Sequence, residues 1–132
     1  VIGDQPLSRW LGDVYKREGL TVCQGKSNMA GDDLPGVIRH FGDKVFMVHV
    51  RDIVTKPQGP PTPEIEKRLA DLGYLEVPFG SGEVDMLGTI RALKDTNYKG
   101  QIYPEHFPAI AGDHAAGPAW TIGYIRALDR AV

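Results

Sequence analysis

Three strand-length runs, separated by helical periodicity, each end on a side chain able to bind a metal. They are Gly19–Gly25 with Cys23, Lys44–Asp52 with His49, and Gly100–His106 with Glu105 and His106. The middle run is the most constraining. Val45-Phe46-Met47-Val48-His49-Val50 is almost continuously apolar, as a strand buried on both faces of a parallel sheet must be. Strands alternating with helices predict an α/β fold. In such sheets the carboxyl ends of the strands converge on the active site. A thiolate, an imidazole and a carboxylate gathered there match the protein part of a divalent-metal site.

The intervening segments carry helical signals. Leu7, Trp10, Leu11 and Val14 fall on one helical stripe that Gly19 stops. After the break at Gln24-Gly25, Lys26–Gly31 reads as a polar loop. Asp32 or Asp33 then caps a helix with Pro35 in its first turn and Val37, Ile38 and Phe41 inward. Thr55–Pro63, rich in Pro and Gly, reads as a loop. Thr62-Pro63 opens a short helix with Ile65, Leu69 and Leu72 on one side, and Leu75–Glu83 is irregular. Asp85 suits the cap of a helix from Val84 to Thr96 with Met86, Ile90 and Leu93 buried. Phe107–Pro118 reads as a loop, and Ala119-Trp120 begins a last helix with Ile122, Ile125 and Leu128 inward.

The order is α-β-α-β-α-β-α with an extra helix after the second strand. Three parallel strands leave two open sheet edges, which proteins avoid exposing. The chain therefore reads as about three βα units of a larger sheet or barrel, completed by missing sequence or by another chain. It begins at Val1 rather than Met, as a processed product or a fragment would.

Composition narrows the function classes. The 132 residues suffice for one domain with a real core. Net charge is −2 with scattered Lys and Arg, which argues against a nucleic-acid surface or an anionic-membrane patch. No apolar run approaches the roughly 20 residues that span a bilayer, and no signal-peptide pattern is present. The single cysteine cannot form an intrachain disulfide, so a reducing, cytoplasmic setting is expected.

Each candidate site residue also has a plain structural reading. Cys23 is a soft ligand or a small buried hydrophobe. His49 is a metal ligand or a core histidine bonded to backbone. His49 and Arg51 alternate to one face of their strand, and burying both requires partners. A bound metal and a substrate carboxylate would supply them. Pro104-Glu105-His106-Phe107-Pro108 places an acid and an imidazole at an irregular strand end, suited to a hard divalent ion and to acid–base work, or to a solvated turn. Glu76 is a substrate contact or a solvated loop carboxylate. His40 and His114 read as surface histidines, and Tyr124 as packed in the last helix.

These residues, in order, carry a resemblance. The segments are Gly19-Leu20-Thr21-Val22-Cys23-Gln24-Gly25, Asp33-Leu34-Pro35, Val37-Ile38-Arg39-His40-Phe41-Gly42 and Val45-Phe46-Met47-Val48-His49-Val50-Arg51-Asp52. Further along come Gly82-Glu83-Val84-Asp85-Met86, Tyr103-Pro104-Glu105-His106-Phe107-Pro108 and Ile122-Gly123-Tyr124-Ile125-Arg126-Ala127-Leu128. Together they resemble the C-terminal portion of the mannonate dehydratase family over most of Gly19–Val132.

The resemblance implies the C-terminal part of a (β/α)8 TIM barrel of the xylose-isomerase-like kind. It implies loss of water from D-mannonate to give 2-keto-3-deoxy-D-gluconate with Mn²⁺ or Fe²⁺. It places metal ligands on Cys23, His49 and Glu105, where the family usually has Asp, and a catalytic acid/base on His106. Arg51 and Glu76 fall in segments that line the pocket. Expected partners are a small sugar acid and the missing N-terminal barrel half or another chain, a homo-oligomer among the options. Besides Glu105 for Asp, the chain departs from the family pattern at four further places. A further metal-binding His belongs to an earlier strand that this chain lacks. The loop after His106 is short, the family's catalytic Tyr there has no clear match, and residues 55–74 look like an insertion. Two other readings stand beside the dehydratase: a sugar isomerase or epimerase on the same barrel, and a non-catalytic barrel fragment that needs a partner segment.

Overall fold

A computed structural model describes residues 19–57 and 59–132. The helix expected around Leu7–Val14 lies outside the described residues. Three strands, β1 (Leu20–Cys23), β2 (Val45–Val50) and β5 (Gln101–Pro104), form a parallel sheet in the order β1-β2-β5. Between β1 and β2 run α1 (Gln24–Ala30) and α2 (Leu34–Phe41). Between β2 and β5 lie a second, antiparallel pair, β3 (Asp52–Val54) with β4 (Leu75–Val77), and the helices α3 (Pro63–Leu72) and α4 (Met86–Asp95). Helix α5 (Ala116–Ala131) closes the chain. The α/β class with a parallel sheet is therefore as expected.

The register explains the layering. Val22 pairs with Val48, which pairs with Ile102. Side chains alternate across a strand, so this row faces one side. There Val22, Val48 and Val50 meet Leu34 and Ile38 of α2 and Ile90 and Leu93 of α4 in one buried cluster. Cys23, His49 and Tyr103 form the neighbouring row and face the opposite side.

The capping residues act as their chemistry requires. The carboxylates of Asp33 and Asp85 accept from Gly36 N and Gly88 N, and Thr62 accepts from Ile65 N with Pro63 behind it. Four expectations need correction. Lys26–Gly31 is not a loop, because α1 runs to Ala30 and ends on a left-handed Gly31 (φ 77°). That helix carries no apolar stripe, so periodicity misses it. The strand expected through Asp52 breaks at Arg51, and Asp52–Val54 leaves for the second sheet. Leu75–Glu83 is not wholly irregular, since Leu75–Val77 pairs with β3. Phe41, Leu72 and Ile122, expected inward, are more than 40% exposed.

Residues 55–74 form the excursion that joins β3 to β4. Gly73 (φ 78°) ends α3 in the left-handed region and turns the chain back into β4. Asp52 anchors the loop after β4. Its buried carboxylate accepts from the backbone N–H of Gly80, Gly82 and Val84 at 2.9, 2.9 and 3.3 Å. The Trp120 indole N–H, 2.9 Å from the Phe79 carbonyl, ties α5 to the same loop.

Candidate active site

The parallel register sets the site. Cys23 on β1 pairs with His49 on β2, which pairs with Tyr103 on β5, so the carboxyl ends of all three strands lie level. The ladder continues one step past β5, where Glu105 N donates to Val50 O at 3.0 Å. That bond holds Glu105 beside the ends of the other two strands. Its carboxylate becomes the meeting point. The Cys23 thiol lies 3.7 Å and His49 Nδ1 3.3 Å from the same atom, Glu105 Oε1. His49 Nε2 stands 3.1 Å from Met47 Sδ.

His106 follows in the left-handed backbone region (φ 53°), which histidine enters more readily than bulky or β-branched residues. This turn at the strand end brings the two neighbours to one side. His106 Nε2 is 3.6 Å from Glu105 Oε2, and His106 Nδ1 is 3.7 Å from Glu76 Oε1. The imidazole is 55% exposed, open to a ligand.

Arg51 is 3% exposed and spans the floor of the site. One terminal nitrogen donates to Cys23 Sγ at 3.5 Å. The other donates to the Tyr74 hydroxyl at 3.2 Å and sits 3.7 Å from Glu76 Oε1. The guanidinium carbon lies 5.3 Å from the Tyr74 ring centre, a cation–π distance. Glu76, 9% exposed, is also ion-paired with Arg68 from α3. The structure thus brings Cys23, His49, Arg51, Glu76, Glu105 and His106 into one continuous network. His40 and His114 are exposed. The Tyr124 ring packs against Phe79 at 6.4 Å between centres. A 480 Å³ cleft lined by Leu93, Tyr98 and Ile125 lies between α4 and α5, behind the sheet and away from these residues.

Sequence reasoning did not single out Arg68 or Tyr74. Both sit in the 55–74 excursion, and only the β3–β4 pairing returns them to the strand ends. An alternating Tyr74-Leu75-Glu76 directly after a Gly-capped helix was the available signal.

Among the described residues, no three His, Cys, Asp or Glu side chains stand as a ready-made metal cluster. The donor set is nevertheless compatible with one. A cation with ligands at about 2.0–2.3 Å holds adjacent donors roughly 3–3.7 Å apart. Both distances to Glu105 Oε1, 3.3 and 3.7 Å, fall in that range. Thiolate, imidazole and carboxylate together suit a borderline divalent ion better than a purely hard one.

A parallel α/β sheet with acid–base and metal-competent side chains level at its strand ends defines the class: an α/β protein of the kind whose active site lies at the carboxyl edge of the sheet. Residues 8–131 match the D-mannonate dehydratase (UxuA) family, and the chain belongs to it. The mannonate dehydratase of Oceanobacillus iheyensis is 34% identical, with 86% of this chain and 33% of that protein covered. That of Enterococcus faecalis is 33% identical over 83% of this chain and 28% of its own length. That of Brachyspira hyodysenteriae is 28% identical over 97% of this chain and 33% of its own. The chain spans about a third of the length of the relatives it matches. No helix among the described residues is long and apolar enough to cross a membrane.

Proposed function

We propose that this chain is the C-terminal part of a (β/α)8 barrel enzyme that removes water from D-mannonate, or a related sugar acid, to give 2-keto-3-deoxy-D-gluconate. The observation that carries the reading is the convergence of Cys23 and His49 on one oxygen of Glu105, with His106 against the other. Family membership supports the reaction. The parallel order β1-β2-β5 with intervening helices supports the barrel, and the greater length of the relatives supports a further segment that completes it.

The reaction breaks the C2–H bond next to the carboxylate and the C3–O bond, and releases water. The resulting enol becomes the 2-keto acid by proton transfer to C3. The C2 proton is only weakly acidic while its neighbour is an ionised carboxylate. Cys23, His49 and Glu105 would hold Mn²⁺ or Fe²⁺, with at least one further ligand from outside this chain. Held there, such an ion would supply positive charge to offset the negative charge that develops as that proton leaves. The open imidazole of His106 transfers the proton, at C2 or at the departing C3 hydroxyl. Arg51 acts from one layer behind: its charge faces Cys23 and Glu76 and fixes both.

Cys23→Ser and His49→Ala in the full-length protein test the assignment. Bound metal and conversion of D-mannonate should both fall, each by at least about tenfold, as expected for loss of a ligand. Unchanged metal content with unchanged turnover would sink the ligand set. A product of unchanged mass would place the enzyme among the sugar isomerases instead.

A further inference from the structure

Two guanidinium groups meet one carboxylate at the edge of the site. Arg51, buried on the floor, already neutralises Glu76 from below. Arg68 pairs with the other oxygen of the same carboxylate from above, and its side chain is 51% exposed. Among the described residues Arg68 has no other ion-pair partner. A guanidinium carries five N–H donors in a planar fork, and Glu76 Oε2 engages one of its nitrogens. Among the described residues no other acceptor engages the fork of this half-exposed side chain, while Glu76 Oε1 lies 3.7 Å from the imidazole of His106.

The placement is built into the excursion rather than incidental. The cap at Thr62 and Pro63 starts α3, and Gly73 ends it in the left-handed region. The β3–β4 ladder then fixes Glu76 opposite Ile53. Arg68 thus reaches the site through Glu76, from an element that belongs to neither the parallel sheet nor its helices.

We propose that Arg68 binds the anionic end of the substrate, which makes the 55–74 excursion a specificity element that selects sugar acids over uncharged sugars. The inference takes from the dehydratase reading only that the ligand is a sugar acid. An incoming carboxylate uses the free part of the fork, the geometry in which arginine holds carboxylates best. Glu76 keeps the fork oriented, and Arg51 keeps Glu76 from being repelled by the arriving anion. An uncharged sugar leaves the same donors unmatched.

The test is made in the full-length protein with Arg68→Gln, Arg68→Lys and Lys67→Gln, the last on an exposed neighbour of the same helix. Turnover of D-mannonate and calorimetric affinity for D-mannonate and D-mannose are measured for each. Arg68→Gln should raise KM and Kd for the acid at least about tenfold, the scale of one charge-assisted hydrogen bond. Its kcat should change by less than about threefold, and its affinity for D-mannose should not change, since uniform binding is what is lost. Arg68→Lys, which keeps the charge without the fork, should fall between wild type and the Gln variant. Wild-type KM and Kd in Arg68→Gln, or an equal loss in Lys67→Gln, overturns the proposal. A wild-type protein that binds the acid through Arg68 but releases no water refutes the dehydration and leaves the role of Arg68 standing.

Discussion

Gly25→Ala separates packing from helix propensity at the floor of the site. Gly25 is buried in the first turn of α1, and its backbone is in no left-handed conformation. An alanine there should gain up to about 1 kcal/mol from helix propensity alone. The structure reverses that sign. A Cβ at Gly25 would lie 2.4 Å from Arg51 Nε, 2.8 Å from its Cγ and 2.9 Å from its Cδ. Ordinary contacts are about 3.5–4.0 Å, so three atoms of one side chain must each move by roughly 1 Å. Arg51 cannot yield freely, because Cys23, Tyr74 and Glu76 hold its far end. Overpacking of this kind costs about 1–3 kcal/mol, and displacing Arg51 also weakens a buried ion pair. The net expectation is a loss of about 2 kcal/mol of stability. In an Arg51→Ala background the clash is absent, and Gly25→Ala should stabilise by about 0.5–1 kcal/mol. Urea unfolding of the wild type, both single variants and the double variant gives the coupling directly. It should be about 2–3 kcal/mol, well above the roughly 0.5 kcal/mol within which independent sites add. Additive variants would refute the contact and, with it, the placement of Arg51 beneath Cys23 and Glu76.

Two further expectations concern the frame around the site. Asp52→Ala should destabilise the protein by about 2–3 kcal/mol, because it leaves the part-buried N–H groups of Gly80, Gly82 and Val84 without their charged acceptor. Hydrogen exchange should rise at Gly80, Gly82 and Val84 before it rises in the parallel sheet, and uniform exchange in both would contradict the role. Burial raises the phenol pKa of Tyr98 above the ordinary tyrosine value of about 10, and its hydroxyl lies 2.8 Å from the Gln101 carbonyl and 3.1 Å from that of Phe46. A raised folded pKa means that the unfolded chain loses the proton first, so this contribution is full below about pH 10 and is lost as pH rises through the folded value. The stability difference between wild type and Tyr98→Phe, read from urea midpoints, should narrow above about pH 10, and a constant gap from pH 8 to 11 would contradict it.

The parallel sheet was legible because its signals are local. The apolar run of Val45–Val50 and the caps at Asp33, Thr62 and Asp85 each declare themselves within a few residues. The strand-end residues were legible for the same reason: a cysteine, a histidine and an acidic residue each stand at or next to the carboxyl end of a strand. Helix α1 was not, because it carries no apolar stripe and only the capping turn at Gly31 marks its end. The second sheet was hidden for a different reason. Strands β3 and β4 are three residues each, and their pairing joins Asp52–Val54 to Leu75–Val77 across the excursion. No short window contains both partners, so Arg68 and Tyr74 have no visible destination in the sequence. Asp52 presents the same difficulty, since its acceptors' partners lie some thirty residues on, at Gly80, Gly82 and Val84. Breaking the strand at Arg51 resolves a chemical conflict that the sequence poses without answering. A continuous strand would leave a guanidinium and a carboxylate on successive residues of a buried sheet. The break lets Arg51 reach the floor of the site while Asp52 organises the loop after β4. The 55–74 excursion follows from that break, because the chain that leaves the sheet at Asp52 must return through β4, and its return delivers Glu76 to His106.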